Sequence, residues 1–209
     1  MNTSKLARVC GTAGIVAAVL WVASALMHPL DQRLTDVASG RWIPAHIGIL
    51  LALALTALLL VGWQLRLDER TGMIGLTGFV LAMCGVVLSA GSIAVESLGS
   101  RYLAAHAPHL VTGGTHAPFF SSNVIETYTL LSGLVALAGL VLLAIGTWRS
   151  DALPRSAAVL VPVGTAVAAG VPTGIIPHVG FVILAAGLAW LGSAIRRTER
   201  SLFPATVPA

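Results

Sequence analysis

The sequence predicts an all-α, polytopic transmembrane bundle of about six helices, and three observations predict it. Hydrophobic residues make up 56% of the chain and charged residues only 10%, against about 25% charged in a soluble domain; mean hydropathy is +0.91. Apolar runs of roughly twenty residues recur along the whole chain, each long enough to cross a hydrocarbon layer of about 30 Å. The basic residues sit in short clusters that flank those runs, a pattern of membrane orientation and lipid-headgroup contact rather than of nucleic-acid binding. The net charge of +4 therefore names no nucleic-acid partner.

The first run, 8–27, has Lys5 and Arg8 ahead of its apolar core. It also carries the Ala23-Ser24-Ala25 pattern of a signal-peptide cleavage site, but is read as a helix. The second and third helices are expected at 43–65 and 73–95, and the fourth at 124–148. The fifth, 157–174, contains Pro162, which removes a backbone donor and crowds the preceding turn, so a kink is expected there. The sixth is expected at 177–195. The connection from Gly170 to His178 is short and apolar; backbone of that kind is tolerated at membrane depth only where protein or a water cavity covers it. The domain organisation is a single bundle over 1–198, an extracytoplasmic loop at 97–122 and a short cytoplasmic tail at 199–209. Two cysteines, Cys10 and Cys84, fall at different depths, and neither a disulfide nor a CxxC motif is expected.

Orientation follows from the loops. Lys5, Arg8, Arg66, Arg70, Arg149, Arg155, Arg196, Arg197 and Arg200 fall on the side of the termini, and only Arg33, Arg41 and Arg101 on the other, which together account for all 12 Lys and Arg. The positive-inside rule then puts both termini in the cytoplasm, as expected for a plasma-membrane protein. Trp63 and Trp148 are expected at the inner interface and Trp42 at the outer one.

With this topology all six histidines, His28, His46, His106, His109, His116 and His178, lie at the outer side. His28, His46 and His178 share a depth there with Glu96 and Glu126. Helical spacing aligns Gly85, Ser89, Ser92 and Glu96 on one small or polar stripe, Trp21, Ser24 and His28 on a second, and His178 with Val182, Ala185, Ala189 and Gly192 on a third. Such faces pack against protein rather than lipid.

Neutral imidazole is the commonest metal ligand, and ionisable groups at membrane depth are costly enough to suggest a function. The expected ligands are His28, His46 and His178, for zinc, copper or iron, or with two imidazoles for haem b. Glu96 is expected as ligand or general base, with Glu126 behind it as a second acid–base group. His106, His109 and His116 are further contributors from the loop, although Pro108 interrupts the HxxH turn and solvated loop histidines are the favoured reading for His106 and His109. A structural alternative also stands for Glu126, which lies three residues after Asn123, the spacing of a capping box.

No HExxH, GxSxG, Walker or Rossmann motif is present. The leading expectation is a membrane metalloenzyme or haem protein doing redox or hydrolytic chemistry at the outer interface, on a small apolar substrate. A transporter of an ion or small solute, an accessory subunit of a membrane complex, and a metal-free acid-catalysed lipid enzyme are the alternatives.

Overall fold

A computed structural model of the chain describes residues 3–67, 71–170 and 174–197. Arg70 and Arg200, which contribute to the expected orientation, the 199–209 tail, and Val171, Pro172 and Thr173 of the apolar connection lie outside the described residues. Among the described residues the structure is helical and contains no strand.

Six long helices carry the fold: α1 (Thr3–Met27), α3 (Trp42–Arg66), α4 (Gly72–Ala94), α6 (Asn123–Ser150), α7 (Arg155–Gly170) and α8 (Ile175–Arg197). Two short helices complete it: α2 (Leu34–Ala38), in the connection between α1 and α3, and α5 (Ser100–His106), which prolongs α4. Five of the described helices are long and apolar enough to cross a membrane; α7, at 16 residues, is apolar but shorter. The helix of α7 runs through Pro162, whose ring is buried.

The long helices pack as a ring. Each touches its neighbours in chain order, and α8 returns to α1, with a further contact between α3 and α8. Small residues set these approaches, as they do where helices associate in lipid. Between α4 and α6, a Cβ on Gly139 would overlap the Ala82 amide nitrogen and one on Gly85 the Ala136 backbone. Where α1 meets α8, a Cβ on Gly11 would strike the Gly192 carbonyl and one on Gly192 the Gly11 carbonyl. The backbones at these crossings are already in van der Waals contact.

Three expectations change on contact with the structure. The helix expected to stop at residue 95 continues: α4 passes through a widened π turn, Val95–Gly99, into α5, making a 35-residue rod over Gly72–His106. Nothing in 96–106 stops a helix, and the first proline is Pro108, so the expected loop is confined to 107–122. Trp42 and Trp63, expected at the interfaces, are both fully buried, whereas Trp148 is exposed. A buried indole needs an acceptor for its N–H, and both find one: Trp42 in the Ser97 carbonyl at 3.2 Å, Trp63 in Thr147 Oγ1 at 2.7 Å. Finally, Val182, expected on an inward line with His178, is exposed.

Candidate metal centre

The end of the bundle formed by the close of α1 and the openings of α3 and α8 holds His28, His46 and His178, and α4 delivers Glu96 to it. His46 sits one turn into α3 and is fully buried. Its Nδ1 lies 2.8 Å from the Trp42 carbonyl one turn earlier. A carbonyl only accepts, so Nδ1 carries a hydrogen, and in the neutral ring Nε2 is left with its lone pair. The Trp42 ring packs over the imidazole, with centroids 4.2 Å apart, and locks its orientation. Nε2 is buried without a hydrogen-bond partner, and stands 3.8 Å from Glu96 Oε1.

His28 follows α1 directly. Its Nδ1 donates to the Pro29 carbonyl at 2.9 Å, leaving Nε2 as the basic nitrogen, and its ring centroid is 5.0 Å from that of His46. Burial, opposed by the Glu96 carboxylate and reinforced by the neighbouring His46, holds the imidazole below its ordinary pKa. Desolvation thus favours the neutral, ligating form. In both histidines a main-chain carbonyl fixes the tautomer that a metal would need, the usual outer support of a ligating imidazole.

The stripe of Gly85 and Ser92 packs on α6, Gly85 against Ala136 and Ser92 hydroxyl to Thr129 hydroxyl at 2.6 Å. Glu96 continues that register in sequence, yet its carboxylate reaches His46 of α3. The π turn begins one residue before it and packs against α3; widening a helix by one residue re-aims the side chains beyond, and such turns recur at functional sites. The turn is pinned by Trp42 at Ser97 and by the Ser100 hydroxyl on the Glu96 carbonyl.

His28, His46 and Glu96 each offer one ligand atom, all three within 4.8 Å of one another. Ligands bonded to one zinc at about 2.0–2.2 Å lie about 3.4 Å apart, so small side-chain rotations would close the set. The donor set is two imidazoles and one carboxylate.

The other expected residues stand elsewhere. His178 is close, at 6.1 Å between its centroid and that of His28, but its two nitrogens face carbonyls, Gly174 at 3.0 Å and His28 at 3.2 Å. It braces the end of α1 and is not among the three grouped ligands. Glu126 is exposed. The cap of α6 is Ser122, one residue before the expected Asn123, with its hydroxyl accepting from the Ile125 amide at 3.3 Å. His106 is exposed, stacked on Tyr102 and bonded to its carbonyl at 2.9 Å, and His109 and His116 are exposed in short 3-10 turns.

Two participants escape sequence reasoning. One is Trp42, whose burial no pattern indicates. The other is Gln32, in the connection after α1, which donates from Nε2 to Glu96 Oε1 at 2.7 Å. Gln32 adopts a left-handed backbone, φ 52, a conformation that costs a non-glycine residue on the order of 1–3 kcal/mol. No protein-family profile, curated protein or solved structure matches the chain, and the geometry of this cluster is what a functional reading has to rest on.

Proposed function

We propose that the chain is an integral membrane protein whose His28, His46 and Glu96 bind one divalent transition metal at the extracytoplasmic mouth of the bundle, for hydrolytic or redox chemistry. The observation that carries this reading is His46 Nε2: a fully buried lone pair, its tautomer fixed from behind, aimed at a carboxylate and without a partner. Leaving a buried polar atom unmet costs about 1–3 kcal/mol, and a metal ion bonded to that nitrogen would remove the cost.

Two imidazoles and a carboxylate with further coordination positions open suit zinc in its catalytic form, or non-haem ferrous iron. An ion fits better than a haem. The three candidate ligand atoms of His28, His46 and Glu96 lie within 4.8 Å of one another and one belongs to a carboxylate, a donor set that suits a single ion. When bound, zinc would supply an activated water and iron a centre for oxygen or electron transfer. The chain's own contribution is to orient the ligands and to shield His46 from solvent.

What supports an outward-facing mouth is the excess of Lys and Arg at the opposite end of the helices. The partners on this reading are bilayer lipid and a small substrate that reaches the mouth. The test is elemental analysis and a metal titration of the purified full-length protein in detergent. About one equivalent of zinc or iron is expected, and its loss in Glu96→Ala. A wild-type protein that takes up neither metal would sink the proposal.

A further inference from the structure

We infer that Gln32 is a positioning residue of this centre, holding the Glu96 carboxylate in the orientation that completes the ligand set. The inference rests on the metal-site reading above and concerns what makes the site selective for a metal over a competing cation of the protein itself.

The Glu96 carboxylate is about one-fifth exposed, so without a partner it is free to rotate toward water and away from His46. Gln32 Nε2 prevents this from 64 residues away, at 2.7 Å on Oε1. The same oxygen is the one 3.8 Å from His46 Nε2. A carboxylate oxygen has two lone pairs, so one hydrogen bond leaves the other pair for an ion. Ligating carboxylates are held in this way by outer donors in metal sites generally.

The kind of donor matters as much as its presence. Three arginines lie at this end of the bundle, and each is engaged elsewhere: Arg33 with Asp31 at 3.0 Å, Arg41 with Asp36 at 3.5 Å, and Arg101 with the Val37 carbonyl at 2.9 Å. Had one of them paired with Glu96, its charge would compete with the metal for the carboxylate. A neutral carboxamide orients the ligand without neutralising it.

The connection that presents Gln32 is tied on both sides. Gly174 N donates to the Leu30 carbonyl at 3.0 Å, and the Asp31 carbonyl lies so close to Gly114 of the 107–122 loop that a Cβ there would meet it. Between these ties Gln32 takes its positive φ. Glycine or asparagine would occupy that backbone with less strain, so the backbone does not explain why the position is glutamine. The side chain does.

The test compares wild type, Gln32→Gly and Gln32→Lys as full-length proteins in detergent, using cobalt(II) as a spectroscopic probe. Visible ligand-field absorption gives both the affinity and the coordination signature, and thermal melting of the metal-free proteins reports the fold. Gln32→Gly should weaken cobalt binding roughly 10–100-fold, the range for loss of an outer partner, with altered absorption bands and an unchanged or raised melting temperature. Gln32→Lys should weaken it further, because its ammonium pairs with Glu96. Binding by Gln32→Gly within twofold of wild type, or a loss that only follows a fall in melting temperature, overturns the inference. A wild-type protein that takes up no cobalt removes instead the metal reading beneath it.

Discussion

Helix α3 buries a tryptophan near each of its ends, and the two are used differently. Near its close, the Trp63 N–H donates to Thr147 Oγ1 at 2.7 Å, and that hydroxyl donates onward to the Leu143 carbonyl at 2.9 Å. The relay ends on an acceptor with nothing left over. At its opening, the Trp42 N–H is satisfied by Ser97 and the Trp42 carbonyl by His46 Nδ1, but the relay continues through the imidazole to Nε2 and stops at an unmet lone pair. Both arrangements lock a helix to a neighbour. Only the second ends on an unmet basic atom, and on the proposed reading that atom is held for a ligand.

The largest effect that tests this contrast is His46→Leu. Cobalt or zinc affinity should fall more than 100-fold, while the melting temperature of the metal-free protein changes little. Leucine removes the unmet Nε2 but also the Nδ1–H bond to the Trp42 carbonyl, two effects of opposite sign and similar size, so the net change in stability should be small. A clear destabilisation without metal would mean that His46 serves folding after all, and the contrast would break.

At the other end the sign reverses. Thr147→Val strands the Trp63 N–H in the core and should destabilise the protein by about 1–3 kcal/mol, read from thermal or denaturant unfolding in detergent, with metal affinity unaltered. If the two variants shift stability alike, the two tryptophans are equivalent and the distinction drawn from them fails.

The smallest effect is that of pH. Because burial holds His28 below the ordinary histidine pKa of 6.5, its imidazole stays neutral at pH 7 in the folded protein. Protons from this residue should therefore not compete with metal above pH 6.5, and affinity should decline only as pH falls through the lowered value. The same shift contributes stability above pH 6.5 that is lost on acidification, since the unfolded chain takes up the proton first. Metal titrations between pH 5 and 8 check the direction; affinity already falling between pH 8 and 7 through His28 would contradict it.

Much of this was legible in the residues. Runs such as 43–65 and 124–148 have to be helices because in hydrocarbon each backbone donor needs an internal partner, and their observed limits, Trp42–Arg66 and Asn123–Ser150, lie within a few residues. That His28, His46 and Glu96 fall at one level of the bundle is a count along a rod, and their ligand atoms do lie within 4.8 Å of one another. What could not be read was rotation. A count puts His178 and Glu126 at the same level as the others, but cannot say that His178 turns both nitrogens onto carbonyls or that Glu126 faces outward. Nor does hydropathy show the π turn that re-aims Glu96, because one residue of extra winding leaves the apolar pattern intact. Gln32 is invisible for a further reason: its partner is 64 residues away, and a single amide in a polar connection has no signature.

The crossing of Gly11 with Gly192 has a consequence for how such a chain is made. Its earliest and latest described helices are mutual neighbours, so during synthesis α1 waits in the lipid with its glycine face uncovered until α8 emerges. His178, which braces the His28 carbonyl, arrives only then. The candidate mouth is thus completed only when α8 packs against α1, and a chain lacking α8 would leave that face of α1 and the His28 carbonyl uncovered.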